Sequence, residues 1–208
     1  MACDDEIVAE IVEPTTRSHG ASLPRLVRAT LERAGLGWDD LDGLAVSIGP
    51  GSFTGLRVAV SLAKGIAYAG RLPIAAVPTL EALAWAAGPE AGDTVWAVLD
   101  ARMREVYAAS FERTASGLER RTADEALAPD VLASRIGTGA ILAGDAIEAY
   151  PALAREDVRV RPFASHPPRG GIVARLGVAL LRAGRGVEIG PLEPVYVRAS
   201  QAERARER

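Results

Sequence analysis

The sequence predicts a mixed α/β fold in two lobes, on three observations. Short apolar runs suited to buried strands, Leu44 to Ile48, Leu72 to Val77, Thr94 to Leu99 and Ala140 to Ala143, alternate with segments whose apolar residues recur at helical spacing. The run Gly88-Pro-Glu-Ala-Gly92 breaks that pattern near the middle and sets an expected boundary between a first lobe, 1–92, and a second, 93–208. A chain of 208 residues, 49% of them hydrophobic, is long and apolar enough to bury a core in each lobe.

In order along the first lobe, Met1 to Asp5 is polar and expected to fray, and Glu6 to Glu13 mixes apolar pairs with acids as an edge strand does, ending at Pro14. A loop over Thr15 to Gly20 leads to Ser22, the expected cap of a helix carrying Leu23, Leu26, Val27, Leu31 and Ala34 at helical spacing and closed by Gly35. Trp38 to Asp42 is a polar connection into the strand at Leu44. That strand runs into Gly49-Pro50-Gly51, a bend, after which the hydroxyl of Ser52 or Thr54 is placed to cap a helix from about Gly55 to Ala69.

This helix is apolar almost all round. Val58, Leu62 and Ile66 fall on one side, Gly55, Ala59, Ala63 and Ala67 repeat every four residues on another, and Arg57, Ser61, Lys64 and Tyr68 form a narrow polar stripe. Such a helix has to be covered on more than one side. The small-residue row is expected to face outward and to let a second helix approach closely, which makes Phe53, Leu56, Arg57, Ala59, Val60, Ala63, Lys64 and Ala67 the candidate interface residues. Arg57 and Lys64 either meet carboxylates of a partner or form a solvated stripe. The lobe closes with a strand at Leu72 to Val77 and a helix over Leu80 to Ala87, with Leu80, Leu83 and Ala84 inward.

In the second lobe, Thr94 to Leu99 and Glu105 to Phe111 form a β-hairpin around Asp100-Ala-Arg-Met-Arg104. Asp124 to Ser134 is expected as a helix, Ala140 to Ala143 as a strand, Ala146 to Ala154 as a helix and Val158 to Pro162 as extended chain. Gly170 to Arg182 is a helix with Ile172, Leu176, Ala179 and Leu180 inward, and the tail runs through Leu192-Glu-Pro-Val-Tyr-Val-Arg198 to a helical Ala199 to Glu203.

The chemistry-bearing patterns are mostly excluded. A formal net charge of −3 gives no global attraction to phosphate backbones, so a nucleic-acid role has to be indirect. The single cysteine, Cys3, excludes an intrachain disulfide and a multi-cysteine zinc site, and with no signal peptide or long apolar run the cytosol is the expected location, with no membrane partner. Gly49 to Arg57 lacks the Gly-Lys-Ser/Thr of a phosphate loop, Ser52 lacks a nucleophile elbow, and His19 and His166 are not paired as metalloprotease ligands. Asp100 and Asp145 both follow strands, where a magnesium or nucleotide contact can sit, but both are common turn residues. No catalytic residue, cofactor or metal is therefore expected.

Gly49-Pro-Gly-Ser-Phe-Thr-Gly-Leu-Arg57 and the helix that follows resemble the signature of the TsaB family, also called YeaZ; Asp100-Ala-Arg, Glu105-Val-Tyr and the closing Tyr196-Val-Arg198 are similar to other segments of it, so the resemblance spans nearly the whole chain. It implies two RNase H-like lobes of the actin-like ATPase and sugar-kinase architecture. It also implies a non-catalytic partner of a TsaD-type catalytic subunit, working with a TsaE-type ATPase and a producer of threonylcarbamoyl-AMP to modify adenosine 37 of tRNAs reading codons that begin with A. A homodimer is a further implied state, and tRNA is reached only through the complex. The family's first strand, of the type Ile-Leu-Ala-Leu-Asp-Thr-Ser, has no counterpart here, and a start assigned to an internal methionine is the expectation, ahead of a shortened chain or a lobe completed differently. The family's His-Ser-Glu pattern is replaced by His19-Gly-Ala-Ser-Leu-Pro24. Readings of other classes are a nucleotide-dependent enzyme of the sugar-kinase type and a peptidase.

Overall fold

In the computed structural model, residues 1–4, 6–13, 19–167 and 169–197 are described. Of the expected loop over Thr15 to Gly20, residues 15–18 lie outside the described residues, as does the tail from Arg198 through the Ala199 to Glu203 helix. In chain order the elements are β1 (Ala2–Cys3), β2 (Glu6–Ile7), α1 (His19–Ala34), β3 (Leu44–Gly49), α2 (Phe53–Gly70), β4 (Ile74–Pro78), α3 (Thr79–Ala86), β5 (Thr94–Arg102), β6 (Glu105–Thr114), β7 (Gly117–Arg120), β8 (Glu125–Leu127), α4 (Pro129–Arg135), β9 (Ile141–Ala143), α5 (Ala146–Ala149), β10 (Arg159–Arg161) and α6 (Gly170–Arg182).

The chain divides into two compact units, but not at 88–92. Met1–Pro78 and Arg169–Val195 form one, Thr79–Pro168 with the chain from Tyr196 the other. Two helices decide this. Leu80, Leu83 and Ala84 of α3 are buried against Val95, Leu99 and Phe111, so α3 belongs to the second unit although it precedes the Gly-Pro break. α6, far along the chain, lies on β3 and β4: Gly177 meets them so closely that a β-carbon there would stand 2.3 Å from that of Ala45.

In the first unit β3 and β4 pair in parallel, Leu44 opposite Ile74 and Ser47 opposite Val77. Val46 and Ile74 pack under α2 in one apolar cluster, whereas Ala45 and Ala75 meet α6. Instead of a frayed end and a long edge strand, β1 and β2 form a short antiparallel ladder that touches α6, and Glu10 accepts a hydrogen bond from the amide of Gly171 at 2.7 Å, filling the start of that helix. α1 starts at His19, ahead of the expected cap at Ser22, with Pro24 inside it. On α6 the buried residues are Gly171, Val173 and Gly177, while Ala179, expected inward, is exposed. Small residues win that face because the helix sits so near the sheet.

In the second unit a six-stranded sheet has the order β10-β9-β5-β6-β7, with β8 also on β6. Val95, Ala97 and Leu99 face the α3 side, while Trp96 and Val98 face a second cluster built on Leu132, Ala146, Ile147 and Leu153. Covering both faces explains the unbroken apolar run of β5. The expected hairpin is present, Trp96 opposite Ser110. Its tip places Met103 and Arg104 at φ 53° and 63°, the left-handed region that two-residue turns normally fill with Asn-Gly. β7 and β8 were not expected, and the predicted helix at 124–134 is instead β8 followed by α4.

Candidate docking site on helix α2

The strand, bend and helix at 44–70 form as the motif predicts. Ser52 is the N-cap, its Oγ accepting from the amide of Gly55 at 3.3 Å, and Leu56 N donates to Ser52 O at 2.9 Å. Gly49 has φ 119°, and a β-carbon there would fall 2.6 Å from the carbonyl oxygen of Val195. Only glycine fits this position, because the chain near residue 195 runs directly over it.

The helix turns the opposite face outward from the one expected. Ala59, Val60, Ala63 and Ala67 lie in the cluster with Val46, Ile74 and Leu192, and Ala67 is fully buried. Leu56 is also buried. The small-residue row therefore meets the protein's own sheet, where it brings α2 close to β3, instead of lying free for a second helix. Lys64 is likewise engaged within its own unit, its Nζ donating to Gly190 O at 2.8 Å and Leu192 O at 3.0 Å. Of the candidate interface residues, Phe53 and Arg57 are the exposed ones, the Arg57 guanidinium lying 3.9 Å from the Phe53 ring centre.

The stripe expected to point inward lines open space. Val58, Leu62 and Ile66 are only partly buried, and Leu62 sits in two adjoining grooves. One, of about 680 Å³, is bounded by Trp38, Leu41, Leu62, Ile66 and Leu72, with Asp39 and Ser61 as its polar members. The other, of about 420 Å³, lies between Pro24 of α1 and Arg57, Val58 and Leu62 of α2. Trp38 is 44% exposed, a large apolar surface beside the first groove. The two grooves share Ser61 and Leu62 and form an apolar strip with the cation of Arg57 at one end and the carboxylate of Asp39 at the other. Sequence reasoning set Leu62 and Ile66 opposite the face expected outward, yet both are only partly buried, and Leu41, from a connection expected to be polar, joins them at the groove.

The remaining polar candidates have structural partners. Asp145 accepts a hydrogen bond from the amide of Asp100 at 2.8 Å, and Asp100 accepts from Arg102 N at 2.8 Å and pairs with the Arg102 guanidinium at 3.0 Å. Burial raises the Asp145 carboxyl above the ordinary aspartate value, its hydrogen bond from Asp100 opposing the rise. His166 hydrogen-bonds within its own turn, to Ser165. Among the described residues no three His, Cys, Asp or Glu side chains converge as metal ligands, and no helix is long and apolar enough to cross a membrane.

Comparison with known proteins agrees with the motif. The family model for TsaD, tRNA N6-adenosine threonylcarbamoyltransferase, matches residues 6–148. The TsaB protein of Escherichia coli K12, named for tRNA threonylcarbamoyladenosine biosynthesis, is 31% identical over 96% of this chain and 89% of its own length. Its namesake in Bacillus subtilis 168 is 27% identical over 96% of this chain and 88% of its own. The solved structure of YeaZ from Pseudomonas aeruginosa superposes with a TM-score of 0.76 at 28% identity, over 88% of this chain and 86% of that one. With its mixed α/β fold, its Gly49-to-Arg57 motif and these relatives, the chain belongs to the TsaB (YeaZ) family.

Proposed function

We propose that this protein is a non-catalytic partner subunit in the threonylcarbamoylation of adenosine 37 of tRNA, binding and activating a TsaD-type catalytic subunit through the outward face of α2. The observation that carries this reading is the apolar strip along Val58, Leu62 and Ile66, together with the exposed Phe53, on the helix that follows the family motif. Burying each such valine or leucine contributes about 1.5–3 kcal/mol, so a few of them offset the cost of association. Arg57 supplies a cation at the rim for a carboxylate of the partner. The net charge of −3 supports contact with tRNA through the complex and not through this chain alone. A TsaE-type ATPase completes the assembly, and the same face serves a second copy of this chain when the catalytic subunit is absent.

The test is a reconstitution containing the TsaD-type subunit, the TsaE-type ATPase, a source of threonylcarbamoyl-AMP and tRNA, with the modified nucleoside measured by mass spectrometry. Product is expected only when this chain is present, and not with this chain alone. Product formed equally well without it refutes the partner role, and ATP-dependent phosphoryl transfer by the pure chain favours the sugar-kinase reading.

A further inference from the structure

Lys64 is the only lysine in the chain, every other basic residue being arginine. Its ammonium is spent on two backbone carbonyls, of Gly190 and Leu192, at 2.8 and 3.0 Å. These belong to a strap over residues 187–195 that is tied at both ends. Val187 N donates to Ile74 O at 2.8 Å at one end, and Val195 N donates to Ile48 O at 2.7 Å at the other, while Leu192 sits in the core under α2. The far end lies over Gly49, where the carbonyl of Val195 leaves no room for a β-carbon. From Gly49 the chain passes through Pro50 and Gly51 to Ser52, the cap that starts α2. A ring is thereby closed: α2, the Lys64 side chain, the strap, the end of β3, the motif bend and α2 again. Lys64 is the side chain that completes it by hydrogen bonds.

We propose that Lys64 is a positioning residue for the docking face: by holding the strap it fixes the Ile48-to-Ser52 bend and so the direction in which Phe53 and Arg57 leave it. The role rests on the partner reading above and deepens it, because Lys64 itself does not touch the partner. The geometry also accounts for lysine at this one place. A compact ammonium directs separate donors at two carbonyls two residues apart, whereas a guanidinium directs its donors in one plane from a larger head and suits a carboxylate. Gly190 is exposed and Leu192 buried, so a side chain without the ammonium leaves the first carbonyl to water and takes a donor from the second, which loosens the strap.

The test uses the full chain with Lys64→Met, and Lys64→Gln as a milder variant that keeps one donor group. Hydrogen exchange on the free chain is read at residues 190–195 and at 52–58, and affinity for the TsaD-type subunit is read separately. Lys64→Met is expected to speed exchange at least tenfold in both segments and to weaken binding at least tenfold, while the β5–β6 hairpin exchanges as before and circular dichroism is unchanged. Lys64→Gln is expected to give smaller effects in the same two segments. Unchanged exchange at 190–195 overturns the proposal, as does faster exchange there with none at 52–58, or uniform acceleration through β3, β4 and α2, which marks a purely structural lysine. Faster exchange in both segments with wild-type affinity also overturns it. Failure of the unmodified chain to bind the catalytic subunit refutes the partner reading, and the exchange data then decide the positioning of the bend independently.

Discussion

The two faces of α2 are both apolar, and only one of them lies on the sheet. Inward lie Ala59, Ala63 and Ala67 with Leu56 and Val60 between them, packed on β3 and β4. Outward lie Val58, Leu62 and Ile66 with larger side chains, only partly covered. A strip of alanines is what a helix needs to lie close to a sheet whose own residues include Val46 and Ile74. Larger residues on the other side keep part of their apolar area uncovered. The lesson is that small residues at four-residue spacing mark close approach but not the identity of the neighbour, which here is the protein itself.

A direct way to break this comparison is to place the same charge on each face. Ala67→Arg buries an unpaired cation at a fully buried position and is expected to destabilise the first unit by more than about 3 kcal/mol, seen as loss of its cooperative melting transition. Leu62→Arg is expected to leave stability within about 0.5 kcal/mol, since its long side chain reaches solvent, while weakening capture of the TsaD-type subunit at least about tenfold. Equal destabilisation by both substitutions sinks the assignment of faces. Ala63→Arg is expected to destabilise the first unit as well, because Ala63 packs against that core.

The other side of the sheet sharpens the point. Gly177 on α6 is the small residue that matters there, and Gly177→Ala forces a methyl toward that of Ala45, at an expected cost of about 1–3 kcal/mol in thermal or denaturant unfolding. A stabilising outcome, as a simple gain in helix propensity gives, shows that α6 can move away from β3 at no cost.

The smallest effect expected concerns the second unit. Burial raises the Asp145 carboxyl, so the folded state binds its proton more readily than the unfolded chain does. The group therefore costs stability when ionised at neutral pH, and that cost disappears as pH falls through its raised folded-state value. Asp145→Asn keeps an oxygen to accept from the Asp100 amide and carries no charge. It is expected to equal or exceed the wild type at about pH 7, by under about 1 kcal/mol, and to lose that advantage by about pH 4, as measured by melting temperature. Asp93 behaves oppositely, its hydrogen bond from Arg159 holding its carboxyl low, so its contribution is lost on acidification in both proteins and cancels in the difference. An advantage that grows toward low pH contradicts the assignment.

How much was legible in the residues varies by element. The helix at 170–182, the hairpin around 100–104, the cap at Ser52 and the family itself follow from local signals: capping chemistry, apolar periodicity and a nine-residue motif. Strands β7 and β8 were hidden because Gly-Leu-Glu-Arg and Glu-Ala-Leu carry no alternation of their own and become strands by pairing with β6. The lobe boundary was misplaced because the Gly-Pro break is a local event, whereas Leu80 and Leu83 are committed to a sheet formed by later residues.

By itself the sequence determined that the Gly49-to-Ser52 bend starts a helix apolar on two sides, because backbone restriction at proline and glycine and side-chain capping act within a few residues. Which of those sides is core was decided only by tertiary structure. A helix has no inside until a sheet lies against it, and the sheet's distance, set by Ala59, Ala63 and Ala67, is a property of the packed pair. The same holds for Lys64, whose carbonyl partners lie 126 and 128 residues further along the chain. No periodicity in the sequence connects residues so far apart; only the strap's return to the end of β3 brings them together.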